Sequence, residues 1–176
     1  MLGERPARQL GSTMLSPTHS PSPPPGPDVA GAISAGPVIL YDGQCGLCDR
    51  SIQLVIRRDS SAVFRFAALD GAFAAGVFRR QGLGSSPASS SAPDAVALVE
   101  WPNTSRERVH FRTDAVLRIL ARLPLPTRLG AWLLRAIPRT IRDAAYDRIA
   151  RVRHRIFGRV LSCAIPPPEV RRRFLD

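Results

Sequence analysis

The sequence predicts an α/β domain over residues 37–176, preceded by a disordered tail over residues 1–36. Two observations predict the domain: short apolar runs bounded by turn residues alternate with segments of helical period, and the composition is 44% apolar in a chain of 176 residues. A third observation predicts the tail, because seven prolines lie among its Ser, Gly and Ala residues and few large apolar side chains accompany them. Such a segment buries too little surface to offset its ordering entropy.

The first half of the domain reads as a strand that runs into a helix. Val38 to Tyr41 is a continuous apolar run, as in a buried central strand. Residues 42–44 form a loop, and a helical pattern follows from Cys45 to Asp59. Residues 63–67 and 72–81 then predict a second strand and a second helix, and a Gly/Ser/Pro linker occupies residues 82–93.

The second half predicts a hairpin and a helix. Residues 95–101 and the alternating pair Val109 and Phe111 read as two antiparallel strands, joined by a turn. Thr113 is the predicted N-cap of a helix over residues 114–123, which Pro124 ends. The order β-α-β-α-β-β-α is that of a thioredoxin-like core.

Two additional helices are predicted after this core, over residues 127–137 and 139–157, with a stop at Gly158. We expect the second helix to pack on the core through an apolar stripe, and the short connection after the core argues against a separate domain. The stripe consists of Ile141, Ala145, Ile149, Val152 and Ile156.

The charge is strongly basic and unevenly placed. The net charge is +11, all 25 basic residues are Arg, and the imbalance lies in the C-terminal third. We interpret this as a solvated helical surface and predict no nucleic-acid partner. A basic peripheral protein that binds anionic lipid or nucleic acid is kept as an alternative, and a peripheral contact with an anionic membrane stays open.

Location is predicted from cysteines and apolar runs. Three cysteines do not make a disulfide framework, which favours a reducing, cytoplasmic compartment. Arg5, Pro6 and Arg8 interrupt any secretory signal at the N-terminus. The run from Leu129 to Leu134 is far shorter than the ~20 residues of a membrane span.

Cys45 and Cys48 carry the chemistry that the sequence suggests. Their CxxC spacing on a first helical turn allows a disulfide without backbone movement. The positive end of the helix stabilises a thiolate, so we predict Cys45 as the more exposed nucleophile and Cys48 as the resolving thiol. No cofactor and no metal are predicted, and the partner is a thiol or disulfide substrate, most simply a protein.

A zinc-stabilised interaction module is the alternative reading of the cysteine pair. Cys163 and either His110 or His154 would have to complete four ligands, but no second close ligand pair is present. A covalent haem is excluded, because Asp49 stands where that motif needs His.

The stretch Tyr41-Asp42-Gly43-Gln44-Cys45-Gly46-Leu47-Cys48 resembles the signature of the DCC thiol-disulfide oxidoreductase family, and further similar segments extend the resemblance over residues 37–176. The resemblance implies a thioredoxin-like fold and a redox role for Asp42, Cys45 and Cys48. Gln44 and Leu47 stand where better-known thioredoxins carry Trp and Pro.

Three further residues are left with two readings each. Asp42 either accepts a proton during exchange or holds the loop in an Asx turn. Cys163 is interpreted as packed or in a loop, the alternative being a third thiol near the pair. Pro93 precedes the third strand, where thioredoxin-like proteins carry a cis proline, although only ~5% of X-Pro bonds are cis.

Overall fold

The computed structural model describes residues 36–83, 96–158 and 167–175. Outside these ranges lie residues 1–35 of the predicted tail, Cys163, and most of the linker over residues 82–93, including Pro93. The described elements, in chain order, are β1 (Val38–Tyr41), α1 (Gly46–Arg58), β2 (Arg65–Ala68), α2 (Ala72–Arg80), β3 (Ala97–Glu100), β4 (Arg108–Phe111), α3 (Arg112–Arg122), α4 (Leu125–Ala136), α5 (Arg139–Phe157) and α6 (Pro168–Arg171).

The predicted α/β order β-α-β-α-β-β-α is confirmed, and the strands form one mixed sheet of order β2-β1-β3-β4. β1 pairs with β2 in parallel, and β3 runs antiparallel to both β1 and β4. The parallel pair needs a crossover, which α1 supplies, whereas β3 and β4 are joined by the predicted hairpin. β1 is therefore central and leads directly into the cysteine loop.

The sheet is buried on both faces, which explains why β1 is apolar at every position. Ile39 and Tyr41 belong to a core cluster with residues of α1 and α3, while Val38 and Leu40 belong to a second cluster on the other face, with α2. The largest fully buried side chains of the first cluster include Phe64, Phe66 and Leu123.

The C-terminal segment covers the outer edge of β2. Phe66 donates its backbone N–H to the carbonyl of Arg173 at 2.8 Å, and Leu175 donates to the carbonyl of Phe66 at 2.9 Å. The guanidinium of Arg173 also pairs with the buried carboxylate of Asp59. An exposed strand edge is a template for unwanted pairing, and this segment removes it.

The additional helices contact the core: α4 lies on α3, and α5 lies against α1 and α3. The predicted stripe of α5 is nevertheless wrong. Ile141, Ile149 and Ile156 are 59%, 51% and 67% exposed, and the buried residue of this helix is Arg153. The helix is rotated because its contact with the core is organised around an ion pair of that arginine.

One predicted helix start is also corrected. Thr113 lies inside α3, whose N-cap is Phe111. Instead of capping its own helix, the Thr113 hydroxyl donates a hydrogen bond to the carboxylate of Asp143 and so ties α3 to α5. Among the described residues no helix is long and apolar enough to cross a membrane.

Candidate redox site at the start of α1

The two cysteines flank the first turn of α1. Cys45 is the N-cap in extended conformation, and its backbone N–H donates to the carbonyl of Asp42 at 3.3 Å. Asp49 in turn donates its N–H to the carbonyl of Cys45 at 3.0 Å. Cys45 and Cys48 are both free thiols. The predicted placement at a helix N-terminus after a buried strand is therefore observed, one residue later than the sequence pattern indicated.

The expected order of exposure is wrong. Cys45 is 0% exposed, whereas Cys48 is partly exposed. The physical reason is the end of α5: the N–H of Gly46 donates to the carbonyl of Gly158 at 3.3 Å. A Cβ atom at Gly46 would lie 2.4 Å from the Phe157 carbonyl oxygen, so only glycine permits this approach. The last turn of α5 therefore covers the start of α1.

Asp42 links the cysteine loop to α5. One carboxylate oxygen accepts the backbone N–H of Gln44 at 2.9 Å, which is the Asx turn. The other oxygen accepts a hydrogen bond from Nη2 of Arg153 at 3.0 Å and lies 3.7 Å from Nε2 of His154. The Arg153 side chain is only 4% exposed, so the pair is shielded from solvent.

The thiol of Cys48 holds its proton strongly. Burial raises its pKa to about 12, and a hydrogen bond with the Cys45 thiol adds to the rise. The positive charge of Arg153 and a backbone hydrogen bond at Asp42 lower the pKa, but less. At neutral pH the Cys48 thiol is therefore protonated.

Cys48 also lines an apolar cavity of about 240 Å³ between the sheet, α1, α3 and α5. Tyr146 and Arg153 supply polar groups to the wall, and the Tyr146 hydroxyl accepts the backbone N–H of Val96 at 3.0 Å. Most of the remaining lining is aliphatic, which explains why the thiol is poorly hydrated on this side. The aliphatic wall includes Ile39, Leu47, Ile52, Val55, Val116 and Ile119.

The two histidines of the zinc alternative lie in different parts of the structure, and only one of them lies near the cysteine loop. Nε2 of His110 lies 2.9 Å from a carboxylate oxygen of Glu100, on β4 and away from the cysteine loop. His154 does approach the site: its ring, the Asp42 carboxylate and the Cys45 sulfur offer ligand atoms within 4.8 Å of one another. The buried Arg153 cation on the same carboxylate opposes a metal ion there.

Sequence reasoning missed Gly46, Tyr146 and Arg153 as parts of this site, and it named His154 only as a possible ligand in the zinc alternative. Tyr146, Arg153 and His154 belong to segments of α5 that resemble the family, which was the available signal. Their role could not be read locally, because Arg153 and Asp42 are 111 residues apart. The question of a third thiol at Cys163 lies outside the described residues.

The chain is similar to known proteins over most of its length. Residues 39–159 match the DCC1-like thiol-disulfide oxidoreductase family. The chain is 29% identical over 138 residues to the uncharacterized protein YuxK of Bacillus subtilis, covering 78% of this chain and 93% of that protein. It is 32% identical over 129 residues to a chloroplastic DCC family protein of Arabidopsis thaliana, covering 73% and 69%.

No solved structure matches the chain. The family match extends over more than half of the chain and includes the cysteine loop, α1 and most of the C-terminal helices. The chain belongs to the DCC1-like thiol-disulfide oxidoreductase family.

Proposed function

We propose that this protein exchanges its Cys45–Cys48 dithiol with the disulfide of a partner, most simply a protein. The observation that carries the proposal is the pair of free thiols at the N-terminal end of α1. Helix N-termini stabilise a thiolate, and Cys45 occupies the N-cap while Cys48 lies three residues further along the helix. The family match supports the same chemistry.

In the proposed reaction the Cys45 thiolate attacks one sulfur of the partner disulfide. An S–S bond forms between Cys45 and that sulfur, and the other partner sulfur leaves as a thiolate. Cys48 then gives its proton to the leaving thiolate and attacks Cys45, which forms the Cys45–Cys48 disulfide and expels the second partner sulfur. Two electrons pass to the partner, which is reduced while the dithiol is oxidised.

The buried position of Cys45 gives the reaction a requirement. A partner sulfur reaches Cys45 only when Phe157 and Gly158 move away from Gly46. The hydrogen bond from Gly46 to Gly158 and close packing at the same position hold the closed form. In this proposal Asp42 is a positioning residue that holds both the loop and Arg153, and the cation of Arg153 favours thiolate formation at the pair.

Mixed-disulfide trapping in the full chain tests the assignment of roles. Cys48→Ser should accumulate a mixed disulfide with a reporter protein disulfide through Cys45, because resolution is lost. Cys45→Ser should trap nothing and reduce nothing. Cys163→Ser is the matched control for the loss of one thiol and should retain turnover.

Trapping through Cys48 in the Cys45→Ser variant would reverse the two roles. Metal analysis of freshly purified protein tests the zinc alternative. Stoichiometric zinc, lost in Cys45→Ser and in His154→Ala, together with no trapping in either cysteine variant, would remove the oxidoreductase proposal.

A further inference from the structure

The outer face of α4 is apolar although it is not covered by the described part of the protein. Leu125, Leu129, Trp132 and Leu133 are 78%, 59%, 68% and 56% exposed. Their spacing of four, three and one residues places all four on one face of the helix. Ala131, the buried residue of α4, lies on a different face. We call the four residues the outer stripe of α4.

The outer stripe is not explained by packing within the described chain. α4 packs on α3 and uses its opposite side to do so. Exposed single hydrophobic residues are ordinary, but four in one stripe, with a tryptophan, form a contiguous apolar surface that marks an interaction site.

Positive charge borders the same stripe. Arg128 and Arg135 are exposed and lie two helical turns apart, so they line one edge of it. Neither α4 nor the positions immediately before and after it carry an acidic residue. An apolar stripe that contains Trp and Leu and is bordered by Arg is the pattern of helices that lie in the plane of a membrane surface.

We propose that the outer stripe of α4 docks the protein on the surface of an anionic lipid membrane. The leucines and Trp132 enter the headgroup and upper acyl region, and Arg128 and Arg135 stay at the level of the anionic headgroups. The net charge of +11 adds a long-range attraction to such a surface. The docking uses no cysteine and is independent of the redox proposal.

The charges favour lipid over the other possible occupants. A second copy would bring two sets of Arg128 and Arg135 together and two chains of charge +11, which repel each other. Residues 1–36 contain too few large apolar side chains to cover the stripe. Nucleic acid would satisfy the arginines but would leave the leucines exposed to a charged backbone.

The two tryptophans allow a matched test in the full chain. Trp132 lies in the outer stripe, whereas Trp101, which directly follows β3, is 53% exposed and lies outside α4. The Trp101→Phe variant, which keeps Trp132, should show a blue-shifted emission and weaker acrylamide quenching with phosphatidylglycerol-containing vesicles. The Trp132→Phe variant, which keeps Trp101, should show neither change.

Three results with vesicles would each overturn the proposal: no change in Trp132 emission, equal changes in both variants, or an equal change with vesicles of phosphatidylcholine alone. A blue shift of Trp132 on concentrating the protein without lipid would also overturn it, in favour of a second copy as the occupant.

Charge variants test how much Arg128 and Arg135, beside the outer stripe, contribute to vesicle binding. Each arginine near an anionic surface contributes about fivefold to partitioning, so Arg128→Gln/Arg135→Gln should bind these vesicles roughly 25-fold more weakly. The matched control, Arg79→Gln/Arg106→Gln, removes the same charge from exposed positions on α2 and the β3–β4 turn and should weaken binding much less. Equal losses in the two double variants would mean that net charge, and not this face, causes the attraction, and would refute the proposed docking face.

Discussion

The sheet with α1 and the pair of helices α4 and α5 use apolar residues in opposite ways. In β1 every residue of the apolar run is buried, and the core-facing side of α1 buries Ile52 and Val55. In α4 and α5 the large aliphatic residues are mostly exposed, and a charged side chain, Arg153, is the buried residue of α5. Apolar periodicity therefore identifies the core in the first region but identifies an outer surface in the second.

The difference follows from the interactions that stabilise each region. The sheet and α1 are held by burial of apolar area, which is proportional to the area removed from water and needs no specific partner. α5 is also positioned by directional contacts: Arg153 with Asp42, Tyr146 with Val96, and Asp143 with Thr113. A helix that is held in this way is free to present its apolar side chains outward.

Substitutions of apolar residues in the two regions should differ most in their effect on folding stability. Phe66 is 0% exposed and its ring lies 5.1 Å from that of Phe174, so Phe66→Ala should lower the free energy of unfolding by about 3 to 5 kcal/mol. Leu133→Ala in the outer stripe should change it by about 0.5 kcal/mol or less. Urea unfolding in the absence of lipid measures both, and equal losses would show that the outer stripe is buried in solution.

The contact between α5 and α1 should give the next largest effect. Gly46→Ala places a Cβ against the Phe157 carbonyl and should cost about 1 to 3 kcal/mol of stability. It should also speed alkylation of Cys45, about tenfold for each 1.4 kcal/mol lost from the closed contact. Gly43→Ala is the matched control, since a Cβ there meets nothing within 4 Å. Unchanged Cys45 labelling in Gly46→Ala, measured by mass spectrometry, would contradict the covering role of α5.

The smallest expected effect is electrostatic and concerns Cys48. Because Arg153 lowers the pKa of this thiol, Arg153→Met should shift the pH profile of Cys48 alkylation to higher pH. The profiles are compared in a background of Cys45→Ser and Cys163→Ser, where Cys48 is the remaining thiol. Arg151→Met, which removes an exposed charge two residues away, should leave the profile in place. Equal shifts of the pH profile in both variants would show that net charge, and not the position of Arg153, sets the pKa of Cys48.

The raised pKa also has a consequence for stability with a definite sign. The folded state disfavours the thiolate of Cys48, so its contribution to stability is present below the ordinary pKa of 9.0 and is lost as the pH rises toward about 12. Cys48→Ser should therefore make the stability of the protein less dependent on pH in that window, as chemical unfolding at pH 8 and at higher pH can show.

The sequence predicts the elements and residues whose structure depends on the local pattern of the chain. The apolar run predicts β1 at its observed bounds, because a buried central strand is apolar at successive positions, and the helical period predicts the helix after the cysteine loop. The cysteines were found because their spacing is itself the chemical signal.

Contacts between residues that are far apart in the chain could not be predicted from the local sequence pattern. The burial of Cys45 depends on the carbonyls of Phe157 and Gly158, and Thr113 is not a cap because Asp143 takes its hydroxyl. Nothing near these residues in the chain reveals such contacts. The α5 stripe was misassigned because a period identifies an apolar face without saying what the face meets, and Arg153 inverted the usual rule that charge lies outside.

Redox titration of the full chain tests the central claim most directly. The Cys163→Ser variant, equilibrated in glutathione buffers and quenched with an alkylating agent, should show an intramolecular Cys45–Cys48 disulfide that forms in a single two-electron transition, with a slope of about 30 mV per tenfold change. Cys48→Ser in the same background should show only mixed disulfides with glutathione. If the pair instead stayed reduced or formed only mixed disulfides throughout the titration, Cys45 and Cys48 would not be a redox couple, and the proposed function would be wrong.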